Sequence, residues 1–262
     1  TLKPVYETVE NMWFGTYPQN DENGVQLEPI EWVPLKTVNN KVLLISDKIL
    51  DNVTWDTTGG SISYGDSEVR AWINNSFSTR AFTDVQRVNI QDTRTSDSTE
   101  QGTYDKVFLL DYENAENMKS SDFRRADATV FARGANSQNG ILYVAPNGYV
   151  FWWLRDSIPS EGKAYGVGRY GTLPFEARNM TYTHNGLRPA LCVDLSNPLF
   201  SGAERGVTWE LNGSSFKSGS SLWLNMDKYV GGQKLPDENN MTPISTRVFI
   251  GWRVNNSDAV YT

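Results

Sequence analysis

Two short runs near the middle of the chain constrain its fold most. YVFWWLRDS (149–157) is dense in aromatic and β-branched residues, and GLRPALCVDL (186–195) places an apolar run after a proline. Both are shorter than most core helices and have the composition of strands, with the proline at a strand start, where it does least harm. The sequence therefore predicts two core strands separated by about thirty residues.

Asparagine-containing turns mark two further strand pairs. Asn147-Gly148 separates two β-rich runs, and Asn-Gly is a strong signal for a two-residue hairpin. Asn39-Asn40 lies between EPIEWVPLK (28–36) and the apolar run Val42–Ile45 and predicts a second hairpin.

Helices are predicted in the stretch that follows. A capping residue at Asp66 or Ser67 precedes one apolar stripe, and Thr83 with Gln86 has the spacing of a capping box. A further helix is expected in 120–134, ending at Gly134. Helices early and a β-meander late give an α+β fold. The residues of the stripe are Val69, Trp72, Ile73 and Phe77.

Composition excludes several classes of function. The net charge is −7 and no Lys/Arg run stands out, so we expect no nucleic-acid partner. No stretch of 18 apolar residues occurs, so this segment should not insert into a membrane. With one Cys and one His, a zinc site of the usual Cys/His kind is excluded, and we expect no metal and no cofactor. The nine Trp, twelve Tyr and eleven Phe favour β-rich cores and binding surfaces.

A change in composition near residue 200 predicts a domain boundary. The linker-like stretch SNPLFSGAERG (196–206) separates residues 1–200 from a second unit over 206–262 that has its own turn signals.

The first unit resembles a bacterial surface-domain family without an assigned function. Each matching piece is short, but they occur in the family's order. The pieces are FGTYPQ (14–19), EPIEWVPLK (28–36), KVLLISDKILD (41–51), VRAWINNSF (69–77), AF (81–82), DKVFLLD (105–111), WWLR (152–155) and GLRPAL (186–191).

The ending, WWLR followed by GLRPAL, also resembles the C-terminal half of C-type lectin-like domains. In that superfamily the ending occurs in formylglycine-generating-type enzymes and in the variable proteins of diversity-generating retroelements. The resemblance implies a C-type lectin-like fold, in which two helices flank a twisted antiparallel sheet and a long loop region displays the ligand surface. It also implies a secreted or surface-displayed bacterial or phage-encoded protein, whose partner is a protein or glycan on another cell surface.

The chain departs from the catalytic and calcium-dependent members of that superfamily. The enzymes use two cysteines, whereas this chain has Cys192 alone, in an apolar strand where it reads as a small core residue. The E-P-N or Q-P-D and W-N-D calcium motifs are absent from 150–195. We therefore expect no catalytic residues. A carbohydrate-active or other enzyme on the same fold and a structural stalk segment remain as alternatives.

The tail, 206–262, resembles the internalin B-type repeat, a small β-grasp-like module of bacterial surface proteins. The matching pieces are VTWELNG (207–213), GGQKLP (231–236) and VFIGW (248–252). The resemblance implies that this unit is a spacer.

The interval 156–184 is the candidate binding surface. Glycine and proline recur along it, which disfavours a long helix, and its Tyr, Arg, Asn, Ser and Gly are typical of binding hot spots and paratopes. The alternative is a long loop whose aromatic rings pack back onto the sheet. The candidate ligand-binding residues are Ser157, Tyr165, Arg169, Tyr170, Phe175, Arg178, Asn179, Tyr182 and His184.

Four residues on the two strands are predicted to be scaffold. Trp152 and Trp153 alternate across a strand, so we expect one in the core and the other beneath the loop. The guanidinium groups of Arg155 and Arg188 should hold loop carbonyls or a carboxylate such as Asp156.

Overall fold

Two five-stranded sheets dominate the computed structural model, which describes residues 11–95, 103–140, 142, 144, 149–173, 177–200, 209–224, 234–244, 247, 249–253 and 260. The first sheet has the strand order β1-β2-β3-β12-β7, and the second has the order β10-β9-β8-β11-β4. Short helices cover the sheets, so the α+β prediction is confirmed. The strands are β1 Met12–Pro18, β2 Leu27–Val38, β3 Lys41–Ser46, β4 Asp51–Asn52, β5 Thr93–Arg94, β6 Tyr104–Asp105, β7 Val107–Phe108, β8 Trp152–Ile158, β9 Lys163–Val167, β10 Arg178–Asn179, β11 Gly186–Leu187 and β12 Ala190–Asp194.

The helices are short and mostly capped by side chains. They are α1 Glu68–Trp72, α2 Ser78–Ala81, α3 Asp84–Asn89, α4 Tyr112–Glu116, α5 Ser121–Arg124 and α6 Val130–Arg133, with 3₁₀ turns at Tyr64–Asp66, Pro159–Glu161 and Ser218–Leu224.

The β2–β3 hairpin is confirmed. Asn39 and Asn40 have φ angles of 49° and 64°, the left-handed values that a type I′ turn requires and that asparagine tolerates. The turn pairs Val38 with Lys41, and the ladder continues to Trp32 and Ser46. Trp32 is fully buried and its Nε1–H donates to the carbonyl of Phe14 on β1 at 2.9 Å.

The predicted helix after residue 66 is one helical run in three parts. Ser67 is the N-cap and accepts from the Arg70 amide, and a π-helical turn, Ile73–Phe77, joins α1 to α2. Thr83 and Gln86 form the predicted capping box at the start of α3. Of the predicted stripe, Val69, Ile73 and Phe77 are completely buried and Trp72 is half-buried. Ala81 is also completely buried and continues the stripe of Ile73 and Phe77, which holds the run in the core.

The single helix expected over 120–134 is wrong. Two one-turn helices, α5 and α6, form instead, because Ser120 and Thr129 each cap a separate start. Between them the chain is extended, with bridges from Ala128 to Ile49 and from Asp127 to Tyr149. These backbone pairings replace the helical hydrogen bonds. The predicted Asn147-Gly148 hairpin lies outside the described residues.

The interval 156–184 is more regular than the predicted loop. Strand β8 continues to Ile158, β9 pairs with β8, and β10 pairs with β9 at the edge of the second sheet. The second predicted strand, 186–195, divides into two. Its first part, β11, joins the second sheet, and β12 lies between β3 and β7 in the first, as expected of a central strand.

The chain crosses between the sheets at Arg188, which is almost fully buried. Its guanidinium donates to three backbone carbonyls, those of Ser46, Asp47 and Arg124, at 3.0, 3.3 and 3.3 Å. It also lies 5.2 Å from the ring of Trp152. Burial lowers the pKa of Arg188 to about 10, so the side chain stays charged at neutral pH. One side chain thus joins the end of β3, the end of α5 and the crossover.

The tail docks on β2. Trp223 is almost fully buried, and its Nε1–H donates to the carbonyl of Leu27 at 2.9 Å. The Asn240 amide donates to the same carbonyl at 3.0 Å. The ring of Trp223 packs with three other aromatic side chains, Trp13, Trp209 and Phe216. The described part of the tail forms a 3₁₀ turn and isolated bridges without a longer strand.

Glu28 is the charged group at this contact. Its buried carboxylate accepts from the backbone amide of Leu222 at 2.9 Å and from the Asn20 side chain at 2.8 Å. Burial raises the pKa of Glu28 from 4.5 to about 7, although these hydrogen bonds oppose the rise. The tail contact therefore contains a group that titrates near neutral pH.

Arg188→Ala should lower the free energy of unfolding by about 3 kcal/mol or more, because it removes three hydrogen bonds from a charged donor to backbone carbonyls and leaves a cavity beside the buried ring of Trp152. Arg188→Lys should also destabilise, since an ammonium lacks the planar fork that reaches all three. Urea denaturation measures both effects, and Arg169→Ala, on a partly exposed side chain, is the control. An Arg188→Lys protein as stable as the parent would contradict the assigned role.

Glu28→Gln should change how stability depends on pH. Below pH 4.5 the Glu28 carboxyl is protonated in both the folded and the unfolded state. Between pH 4.5 and about 7 only the unfolded state releases this proton. The contribution of Glu28 to the free energy of unfolding therefore falls as the pH rises. The stability of the parent relative to Glu28→Gln should therefore decrease across that window and level off above it.

Thermal unfolding of the parent, Glu28→Gln and the exposed-site control Glu116→Gln over this pH range checks the prediction. If the difference in stability between the parent and Glu28→Gln does not change with pH over this range, the pKa of Glu28 is not raised in the folded protein.

Candidate functional site

The predicted binding residues fall into separate groups in the structure. Arg178, Tyr182 and His184 lie in one group, and Arg169 and Tyr170 lie in another. Ser157 and Tyr165 lie on β8 and β9, and Phe175 lies outside the described residues.

The first group is built around the guanidinium of Arg178. It lies 3.8 Å from the ring centroid of Phe151 and 5.0 Å from that of Tyr182. The ring of Tyr182 meets His184 edge-on at 5.4 Å. Tyr182 and His184 are exposed, so the group presents two rings to solvent above an arginine held between aromatic faces.

A turn after β10 positions this group. Strand β10 pairs with β9, with Arg178 opposite Ala164. The Asn179 side chain accepts from the amide and hydroxyl of Thr181 at 3.0 and 2.9 Å, which closes an Asx turn. The Tyr182 amide then donates to the Asn179 carbonyl at 3.0 Å. Asn179 therefore shapes the turn that displays Tyr182.

Arg178 also has a structural role. Its Nη1 donates to Oδ1 of Asn185 at 2.8 Å, and Asn185 is completely buried. Removing the guanidinium would leave a buried amide oxygen without this donor, which costs stability. An alanine substitution at Arg178 would lower stability as well as any binding, so it cannot test the binding role separately.

The second group lies around Tyr170, which is 50% exposed. The guanidinium of Arg169 lies 5.0 Å from its ring. The backbone of this turn is held from below, since Nε of Arg124 donates to the Gly171 carbonyl at 2.8 Å and Nε of Arg125 to the Tyr170 carbonyl at 3.4 Å. The Arg125 guanidinium also lies 5.6 Å from the ring of Tyr149.

Tyr149 and Phe151 connect the two groups. Both are half-buried and alternate with the buried Val150 and Trp152, so they share the outer side of the segment leading into β8. We call the combined set the arginine–aromatic surface. Its members are Arg125, Tyr149, Phe151, Arg169, Tyr170, Arg178, Tyr182 and His184.

Three of these residues were missed from sequence. The alternation in YVFWW carries a signal for Tyr149 and Phe151, but both were treated as part of a scaffold strand. Arg125 lies in the stretch predicted to be one helix, and no local pattern connects it to residues 169–170.

Ser157 and Tyr165 have different neighbours. The Tyr165 ring meets Tyr112 of α4 edge-on at 6.3 Å, and Ser157 lies opposite Ala164 in the β8–β9 ladder. Both side chains are half-buried.

The predicted scaffold residues are at the centre of the domain. Trp152 and Trp153 are both completely buried in the main core, where we expected one of them, and their indole N–H groups donate to the carbonyls of Arg124 and Val53 at 3.0 and 2.9 Å. Arg155 pairs with Asp111 instead of Asp156 and donates to the Leu109 carbonyl at 3.1 Å.

The arginine–aromatic surface combines guanidinium groups with aromatic faces. Its arginines carry positive charge on a chain whose net charge is −7, and Asp122 pairs with Arg125 at 2.9 Å.

Within the described residues, no His, Cys, Asp or Glu group has the arrangement of a metal site. Cys192 is partly buried, and burial raises the pKa of its thiol, which disfavours the nucleophilic thiolate. No helix among the described residues has the length and apolar character to cross a membrane.

Comparison with known proteins identifies one family. Residues 39–195 match the model of a domain of unknown function, DUF6273, and this match covers more than half of the chain. Neither the curated proteins nor the solved structures contain a match. The matched region begins at the β2–β3 turn, ends just after β12 and includes the arginine–aromatic surface. The chain therefore belongs to the DUF6273 family.

Proposed function

We propose that this protein is a non-catalytic, adhesin-like ligand-binding protein that is secreted or displayed on a bacterial or phage surface. In this proposal its first unit is a C-type lectin-like domain, and the tail is an internalin B-type spacer. The ligand is a protein or glycan on another cell surface. The observation that carries the proposal is the arginine–aromatic surface, whose Tyr170 and Tyr182 side chains are 50% and 41% exposed.

The order of these side chains supports binding. Arg178 is held by Phe151 and Asn185, and the Tyr182 turn is closed by Asn179, so little conformational freedom remains to be lost when a ligand docks. Tyrosine and arginine supply most of the energy at the centres of interfaces. The exposure of both tyrosines also argues against the stalk alternative, in which they would pack on the sheet.

The proposal extends to the variable proteins of diversity-generating retroelements. In such a protein, substitutions would concentrate at exposed positions such as Tyr170 and Tyr182, while the buried scaffold would stay fixed. The source genome should then encode a reverse transcriptase near this gene and an imperfect template repeat that differs at adenines. A complete genome without either would refute this extension while leaving the binding proposal in place.

Tyr170→Ala and Tyr182→Ala should each weaken binding to a ligand found on glycan and protein arrays by at least about tenfold, because each removes an exposed aromatic anchor. The melting temperature should change little. Tyr104→Ala is the matched control, since Tyr104 is 61% exposed on β6, outside this surface. Equal loss of affinity from Tyr104→Ala, or affinity and melting temperature falling together, would count against the proposal.

A further inference from the structure

A polar concavity shares no lining residue with the arginine–aromatic surface. A cleft of about 340 Å³ opens between the helical run and the turn after α6. Its volume is within the range of small-molecule sites. It is lined by Tyr17, Asp51, Trp72, Ser76, Arg80, Phe131, Asn136, Ser137 and Gln138.

One wall is a stripe of the helical run. Trp72, Ser76 and Arg80 are spaced four residues apart and lie beside the buried stripe of Ile73, Phe77 and Ala81. The π-helical turn at Ile73–Phe77 falls in the middle of this wall, and π-turns within helices are frequent at functional sites. Trp72 and Arg80 are half-buried and Ser76 is exposed, so the cleft opens along this stripe.

The floor is a fixed network around Asp51. The Tyr17 hydroxyl donates to Oδ2 of Asp51 at 2.5 Å, and Oδ1 accepts from the amides of Asn52 and Gln138 at 2.7 and 2.8 Å. Burial raises the pKa of Asp51, while these hydrogen bonds and the charge of Arg80 oppose the rise. The floor therefore also sets the position of Gln138 on the opposite wall.

Arg80 is positioned before any ligand binds. Its guanidinium lies 5.0 Å from the ring of Tyr17 and 5.4 Å from that of Phe131, and it donates to the Gly24 carbonyl at 2.8 Å. Its charge acts on both Tyr17 and Asp51. A free anion would meet this guanidinium together with the Asp51 carboxyl, so the cleft favours a neutral ligand.

The remaining groups define the chemistry of that ligand. Ser76, Asn136 and Gln138 are exposed and offer hydroxyl and amide groups that both donate and accept hydrogen bonds. Trp72 adds an aromatic face on the same wall as Ser76. A neutral molecule with hydroxyls at its rim and an apolar C–H face matches this combination.

We propose that this cleft binds a neutral saccharide, with one sugar ring against Trp72 and its hydroxyls toward Ser76, Asn136 and Gln138. Binding without cleavage is the activity that fits. Asp51 is the one carboxylate among the described lining residues, and both of its oxygens accept hydrogen bonds, whereas glycoside hydrolysis uses two carboxyl groups about 5–9.5 Å apart.

The test uses the whole chain labelled with ¹⁵N and titrated with glucose, galactose, mannose, N-acetylglucosamine, lactose and cellobiose. At least one sugar should shift the indole N–H signal of Trp72, assigned from its loss in Trp72→Phe. Ser76→Tyr, which fills the mouth of the cleft, should weaken that sugar's binding by at least about tenfold. Asn75→Tyr, at the adjacent exposed helical position, should bind as the parent does.

Three results would overturn this proposal: no sugar moving the Trp72 signal, equal binding by Ser76→Tyr and the parent, or phosphate moving the signal where the sugars do not. Melting temperatures of both tyrosine variants show whether the fold is intact. The Trp72 signal reports on this cleft, whereas ligand affinity of Tyr170→Ala and Tyr182→Ala reports on the arginine–aromatic surface, so failure of one proposal is distinguishable from failure of the other.

Discussion

The guanidinium of Arg188 is the interaction on which the arrangement of the two sheets depends. The chain passes from β11 in one sheet to β12 in the other within two residues, and Arg188 is one of the two. Its three carbonyl partners come from the ends of β3 and α5. Desolvating a cation is expensive, but three hydrogen bonds and the face of Trp152 offset that cost. The same contact fixes residue 124, whose side chain holds the Tyr170 turn.

Buried acidic groups act in a similar way at the edges of the sheets. Asp51 joins β1, β4 and the turn at Gln138 through one carboxyl, and Glu28 joins β2 to the tail through Leu222. In the described parts of the chain, no long ladder connects the turn or the tail to these strands, so side-chain acceptors replace backbone pairing. The two surfaces proposed to bind ligands thus stand on buried polar contacts as well as on the apolar core.

Features set by local chemistry could be read from the sequence. The Asn39-Asn40 turn, the Ser67 N-cap and the Thr83–Gln86 capping box depend on residues within a few positions of one another. The partners of Arg188 lie up to 142 residues away, and no periodicity specifies them. The helix expected over 120–134 failed for the same reason, because pairing of Ala128 with Ile49 is a long-range contact that overrides a local pattern.

At the arginine–aromatic surface, too, the sequence indicated local features but not long-range contacts. Composition pointed to the interval 156–184, but it did not separate Tyr182, which faces solvent, from Tyr165, which packs on Tyr112. Phe151 was missed because it directly precedes β8, whose first residues build the core.

Arg178 shows why binding and folding cannot be assigned to separate residues here. Its guanidinium contacts the ring of Tyr182 on the outside and the buried Asn185 on the inside. A substitution that keeps both contacts must supply a planar donor of similar reach, which lysine does not. Tyr170 and Tyr182 carry no comparable inward side-chain hydrogen bond among the contacts described, and both are at least two-fifths exposed. Substitution on this surface is therefore least costly to the fold at Tyr170 and Tyr182 and most costly at Arg178.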